Sequence, residues 1–307
     1  MKIKDYLPLL AGLTFSSIFG FTFMFTKEGL ELISIFHLLG FRFGLAAVVM
    51  TTLYFLNIIN LEFKGKDLKA LFLLATAQPG LYFIFETLGV NMTASSEAGL
   101  MISLIPVVVT ILAAIFLNEK PSKKQLFFIV LSVAGVIFIV LMKGSTEVAN
   151  NYLGMLVLAG AVLMGGIYNI LSRKLSLDFS AVEITFVMVW YGTILFNIIG
   201  LTRHNGNWIG YISPLSNLNV IFPVVYLGLF ASVIAFFMMN YTLSRIQASQ
   251  AAVFANFTTV VSIIAGVVFR GESFYWFQFI GATMIIIGVW GTNYYGKIEQ
   301  PAEELPA

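Results

Sequence analysis

The 307-residue chain contains no cysteine, so it can hold neither a disulfide framework nor a thiolate metal site. Only 10% of its residues are charged, against about a quarter in an ordinary soluble domain. Its net charge is +2 and its basic residues are spread between hydrophobic runs, which does not suggest a nucleic-acid partner. Two histidines and no H-E-x-x-H leave no metalloenzyme constellation. No G-x-x-x-x-G-K-[ST] occurs, so the chain cannot be a self-contained ATP-driven pump. No cofactor is expected.

What the sequence has in abundance is apolar surface. Hydrophobic residues make up 59% and aromatic residues 15%. Water cannot solvate a fold of that composition, so the expected solvent is the lipid bilayer. Ten runs of about 20 apolar residues are long enough to span it. They lie at 7–26, 35–57, 68–90, 93–117, 122–142, 153–173, 181–201, 219–241, 248–270 and 274–296. Inside lipid each span must satisfy its own backbone, and no barrel-like alternation is present, so the fold class is all-α. The first run lacks a small-residue cleavage pattern and reads as a retained span.

Orientation follows from the cations. With the N-terminus inside, Lys2, Lys4, Lys64, Lys66, Lys69, Lys120, Lys123, Lys124, Arg173, Lys174, Arg245 and Lys297 are cytoplasmic. Lys27, Lys143, Arg203 and Arg270 are outside, and Arg42 lies within a span. Both termini are therefore expected in the cytoplasm of a multi-pass protein of the cell membrane, with 298–307 a disordered tail.

The chain also repeats itself. "TASSEAGL" at 93–100 returns as "IQASQAAV" at 246–253, an offset of 153 that also places Glu119 on Glu272. In the first two spans the offset is 146, matching "TK" at 26–27 to "SR" at 172–173. Residues 1–145 and 146–297 thus read as two five-helix units. Because five is odd, the second unit enters the membrane upside down, the arrangement of many secondary transporters.

Three stretches carry a family resemblance: "FGFTFMFTK" at 19–27, "HLLGFRFGL" at 37–45 and "ASSEAGLMISLIPVVVTILAAIFLNEK" at 94–120 with its second copy. In this order and spacing the chain resembles the EamA-like family of the drug/metabolite transporter superfamily, in its ten-helix form. Phe19 stands where that family often has Trp, and Thr22 where it often has Asn. Thr259 replaces the proline of the first copy, Pro106. The resemblance implies movement of small polar metabolites, often amino acids or their relatives, through a cavity between the halves. It also implies that spans one, three, four, six, eight and nine surround that cavity.

Ionisable residues within spans are costly and become the first functional candidates. Arg42, Glu86 and Glu97 share the outer layer together with His37, whereas the second-half counterparts of the first three, Met188, Met239 and Gln250, are neutral. Two readings stand for the charged set. In the functional one, Arg42 with Glu86 or Glu97 grips a zwitterion, or a glutamate exchanges a proton as the outer gate opens; in the structural one, Arg42 pairs with a glutamate or snorkels. Glu119 and Glu272 end their spans on opposite sides of the membrane and are expected to orient loops. Midway, Pro79 frees the carbonyl of Ala75 and Pro106 that of Ile102, so both helices should kink. Thr22, Gln78, Tyr82, Tyr168, Asn169, Asn256 and Thr259 are the neutral candidates for solute binding. The expected partners are lipid and a small polar solute, with protons a further candidate whose coupling the sequence leaves open. Gly40 and Gly44 form a G-x-x-x-G that hints at a close helix contact and a homodimer.

Overall fold

The computed structural model describes residues 6–92, 101–143, 152–271 and 273–296. Glu97, Glu272 and the tail at 298–307 lie outside the described residues. Every element is helical and no strand occurs among the described residues. In chain order they are α1 (Leu7–Leu30), α2 (Ile35–Phe55), α3 (Leu68–Ala75), a π-helical segment (Thr76–Leu81) and α4 (Tyr82–Met92). Next come α5 (Ile105–Phe116), α6 (Lys123–Lys143), α7 (Tyr152–Leu175), α8 (Ala181–Arg203), the short α9 (Trp208–Ile212) and a 3-10 turn (Ser213–Ser216). Finally α10 (Leu218–Val225), a second π-helical segment (Tyr226–Ala235), α11 (Phe236–Arg245), α12 (Ala248–Arg270) and α13 (Trp276–Tyr295) complete the fold.

Eight helical stretches among the described residues are long and apolar enough to cross a bilayer. Ile105–Phe116 is apolar but is described over only 12 residues, and Trp276–Tyr295 is a 20-residue helix outside those eight. Large apolar side chains such as Phe55, Ile111, Phe127 and Trp290 remain exposed on the outer faces. In water this would be untenable, whereas lipid tails solvate such a surface.

Local chemistry sets the helix ends. Ser180 and Glu183 form a reciprocal capping box at the start of α8. The Asp67 side chain accepts from the Lys69 amide to start α3. Gly271, with φ +66°, closes α12 in the left-handed conformation. As expected, the helix of span three breaks around Pro79: Gln78 has extended angles (φ −148°, ψ 123°) and the backbone widens into a π turn. Span four behaves differently. Pro106 stands in the first turn of α5, where its missing N–H costs nothing, so it starts a helix after a turn at 103–104 instead of kinking one.

Four long pairings organise the bundle: α2 with α8, α6 with α13, α1 with α12, and α4 with α7. α6 and α13 approach at glycines: a Cβ added to Gly281 would lie 2.3 Å from Ile139 Cγ1 and 2.8 Å from the Gly135 carbonyl. The Gly40-x-x-x-Gly44 face is occupied within the chain, because Asn197 of α8 donates from Nδ2 to the Gly40 carbonyl at 3.0 Å. The centre is aromatic, with Phe15, Phe43, Phe196, Phe236, Phe254 and Tyr168 all at most 2% exposed.

Candidate functional site

Arg42 is 5% exposed inside α2. Its Nε donates to Ser232 Oγ at 2.7 Å. Ser232 can accept because its own hydroxyl donates to the Leu227 carbonyl five residues back, at 2.9 Å, within the second π segment. Phe83, Phe43 and Phe236 surround the guanidinium, with ring centroids 5.0, 5.3 and 5.9 Å away. These faces attract a cation without using its N–H groups. Among the described residues no hydrogen bond engages the two terminal nitrogens of Arg42, so four donors remain available.

Opposite stand Tyr82 and Glu86, one turn apart on α4, with the phenol donating to Glu86 Oε1 at 3.1 Å. Both interact electrostatically with Arg42. No direct ion pair joins Arg42 to Glu86: within 4.0 Å, the described residues form Lys66–Glu183 and Arg173–Glu119 pairs only. The arrangement is a buried cation and a half-buried carboxylate held apart, each with unused hydrogen-bonding capacity. One end of a solute can give a carboxylate to the guanidinium and an ammonium to Glu86.

Deeper in the bundle, Gln78 sits in the helix break at 7% exposure, and among the described residues its amide makes no hydrogen bond. Asn169 is 2% exposed; its Nδ2 donates to the Gly165 carbonyl at 2.8 Å and its Oδ1 has no partner. Tyr168, its neighbour, is differently employed. Its hydroxyl donates at 2.8 Å to Asn240 Oδ1, which also accepts from Ser172 at 2.7 Å, while Asn240 Nδ2 donates to Thr185 at 3.1 Å. That knot is fully satisfied and 0% exposed at Tyr168, Ser172 and Asn240, so it holds α7, α8 and α11 together.

Other candidates are engaged elsewhere. Thr22 donates to the Phe19 carbonyl of its own helix at 2.6 Å. Asn256 donates to Ser132 on α6 at 2.7 Å. Thr259 is half-buried on α12. His37 hydrogen-bonds the Tyr211 carbonyl through Nε2 and stacks on the Tyr211 ring, centroids 4.3 Å apart, with His204 at 4.7 Å. Burial raises the Tyr211 hydroxyl to about 12, so it stays protonated and donates to Asn197 Oδ1 at 2.9 Å. His37 thus docks the short α9 onto α2 and α8.

Sequence reasoning missed three features. Ser232, the partner of Arg42, stands 153 residues after Pro79, so the repeat itself pointed to it. Asn240 gave no signal beyond being an amide within a span. Glu119 does more than orient a loop: its Oε1 accepts from Arg173 Nε at 2.9 Å and its Oε2 from the Ala248 amide at 2.7 Å. Arg173 Nη1 continues to the Leu243 and Ser244 carbonyls, both at 3.2 Å. One buried ion pair therefore ties the ends of α5, α7 and α11 to the start of α12.

Two surface grooves of about 440 Å³ each lie away from this chemistry. One, between α3 and α8, is almost wholly apolar and includes Leu71, Phe72, Phe186 and Trp190. The other, at the end of α1, includes Glu28, Glu31 and Asn219. Neither is lined by Arg42, Glu86, Gln78 or Asn169.

An all-helical bundle with apolar outer faces and a sparse polar interior is a multi-pass membrane protein. The EamA-like transporter family model matches twice, at residues 7–141 and 152–294, and the chain belongs to that family. An uncharacterized transporter of Bacillus subtilis, YcxC, is 36% identical over 92% of each chain. A protein of Streptantibioticus cattleyicolor named as a probable terminal-alkyne amino-acid exporter is 23% identical over 74% of this chain and 73% of its own. A crystal structure of another protein, 17% identical, superposes with a TM-score of 0.77 over 93% of this chain and 98% of that one, which shows the fold.

Proposed function

We propose that this protein is a secondary transporter, not an enzyme, that exports a small amino acid or derivative by alternating access in the cell membrane. Ten helices form two inverted five-helix units, residues 1–145 and 146–297, with both termini in the cytoplasm. Several features support this architecture. The family model matches each unit once. The pairing of α1 with α12 is mirrored by that of α7 with α5. Both π segments, Thr76–Leu81 and Tyr226–Ala235, also occupy matching positions in the repeat. Relatives carry transporter names, one of them a probable amino-acid exporter.

The observation that carries the substrate reading is Arg42, buried with its terminal nitrogens unused and separated from Glu86. A permanent charge at that depth needs a partner. A zwitterion supplies one carboxylate to Arg42 and one ammonium to Glu86, and so neutralises both. Tyr82 holds the carboxylate of Glu86 in place. The knot of Glu119, Arg173 and the Ala248 amide closes the cytoplasmic side, and its release opens the cavity inward. Glu97, by its place in the sequence, is the candidate proton-exchanging group near the outer gate.

Solute counterflow in proteoliposomes tests the proposal. Preloaded unlabelled amino acid should drive transient accumulation of the labelled one, and Arg42→Ala should abolish it. A membrane enzyme would consume the solute chemically, a channel would equilibrate it without overshoot, and a receptor would bind it without flux. Each of those results rules out the carrier.

A further inference from the structure

α4 and α7 run antiparallel in a register that can be read from their closest approaches. Gly89 meets Leu158, with a built Cβ 2.5 Å from Leu158 Cγ. Gly160 meets Phe85 at 3.2 Å, and Gly165 meets Tyr82 at 3.4 Å. One further turn inward the same register reaches the level of Asn169 and of the helix break that holds Gln78, and the Thr76–Leu81 segment does pack on α7. These two buried amides are the under-satisfied polar side chains of this region. Asn169 Oδ1 lacks a donor, and Gln78 has neither donor nor acceptor partner among the described residues. The Asn169 amide is not a flipped assignment, because its Nδ2 makes a 2.8 Å bond to the Gly165 carbonyl that an oxygen could not make.

We propose that Gln78 and Asn169 form a second subsite that selects a solute whose side chain ends in a carboxamide. This rests on the zwitterion reading of Arg42 and Glu86. The required group must donate to Asn169 Oδ1 and accept from Gln78 Nε2, which a planar carboxamide does at once. A carboxylate would turn lone pairs towards Asn169 Oδ1. An ammonium would be buried there without a counter-charge. Depth fixes the length of the side chain. The guanidinium of Arg42 lies over the Phe83 ring, 5.0 Å away, so the α-carbon of the solute sits near the level of residue 83. Gln78 is five residues further in, about 7.5–9 Å once its extended angles are added to the helical rise. A glutamine-length chain extends roughly 5 Å from its α-carbon and a hydrogen bond adds about 2.9 Å. A serine hydroxyl falls well short.

The test is counterflow with the full-length protein in proteoliposomes, using glutamine and norleucine, which are of similar length but differ in the terminal amide. Glutamine should exchange with at least tenfold lower half-saturation, because a site built to hydrogen-bond rejects an analogue that leaves its amides unpaired. Asn169→Leu and Gln78→Met should each reduce that preference to about twofold or less. Equal exchange of the two solutes by the wild-type protein would mean that the amides hold only water, and would overturn the subsite while sparing the clamp. A glutamine preference untouched in both variants would also overturn it. Exchange of no amino acid at all would remove the clamp and the subsite together. Should either variant fail to fold, the wild-type ratio alone decides.

Discussion

Arg42 and Ser232 are joined across the two family-matched segments: the Arg42 Nε donates to Ser232 Oγ at 2.7 Å, from α2 to the π segment of Tyr226–Ala235. The cation of the proposed site is thus fixed to a widened turn of the opposite half. Such turns are frequent at functional sites because a backbone with i→i+5 bonding has nearby alternatives. A ligand that pulls on Arg42 can therefore bias that turn directly.

Ser232→Ala leaves the buried Nε without an acceptor, while Leu227 loses a donor. The expected cost is about 1.5–3 kcal/mol, the range for hydrogen bonds to charged groups, read from thermal or denaturant unfolding in detergent. Ser232→Thr keeps the hydroxyl and should recover most of it. If Ala and Thr are equally stable, the hydrogen bond contributes nothing.

Arg42→Lys tests the available terminal nitrogens. Lysine keeps the charge but loses the planar fork that a carboxylate grips with two bonds. Amino-acid affinity should fall by about tenfold or more, equivalent to roughly 1.4 kcal/mol. Glu86→Gln should act selectively. It removes the partner of the ammonium but keeps an acceptor for Tyr82, so amino acids lose affinity while deaminated analogues do not. Binding isotherms for alanine and propionate with each variant separate the two roles.

Much of this was legible in the sequence, and what was missed has a physical pattern. The break at Pro79 was readable because proline lacks an N–H. The second π segment contains no proline and was silent. For Arg42 the structural reading was pairing with a glutamate or snorkelling, beside the functional reading of a zwitterion grip. Its actual supports are a hydroxyl and three aromatic faces, neither of which leaves a charge pattern. Tyr168 and Asn169 looked alike as polar residues of one span. Their difference, one enclosed in a complete network and one with an orphan oxygen, depends on Asn240, seventy-two residues beyond Tyr168. Arg173 counted as a cytoplasmic cation in the sequence, and only packing reveals it as a buried tie.

The Arg173–Glu119 pair has both side chains below 9% exposure. Removing one partner leaves an uncompensated buried charge, so Glu119→Ala or Arg173→Ala should each cost about 3–5 kcal/mol. The double variant should cost less than the two singles added, since neither charge is then stranded. If the knot is also the inner closure, the double variant should leak solute in proteoliposomes even when counterflow is weak. Strict additivity in unfolding, with tight vesicles, would reduce the pair to two independent contacts.

Lys66 and Glu183 form the other direct pair among the described residues, but their environments differ, with Lys66 27% and Glu183 3% exposed. Glu183 accepts from the Ser180 and Glu62 amides at 2.8 Å as well as from Lys66, so it organises the start of α8 and the preceding loop. Lys66→Met should therefore cost about 1 kcal/mol or less, as for other part-exposed pairs. Glu183→Ala strands two backbone donors and should cost about 2–3 kcal/mol. Equal losses would assign the stability to the ion pair and not to the cap.

The absence of native cysteine makes topology directly measurable, because each introduced cysteine is the only one to label. Ser122 and Ser213 are exposed, the first before α6 and the second in the turn after α9. The proposed orientation places Ser122 in a cytoplasmic joint with Lys120, Lys123 and Lys124, and Ser213 outside. A membrane-impermeant maleimide added to intact cells should label Ser213→Cys and spare Ser122→Cys until the membrane is permeabilised. The reverse pattern would turn the molecule over. Glu119 and Arg173 would then close the outer side, and the charged Arg42 layer would face the cytoplasm. Labelling of both sites in sealed cells would put the two joints on one side, which the proposed ten-span path forbids because an odd number of crossings separates them.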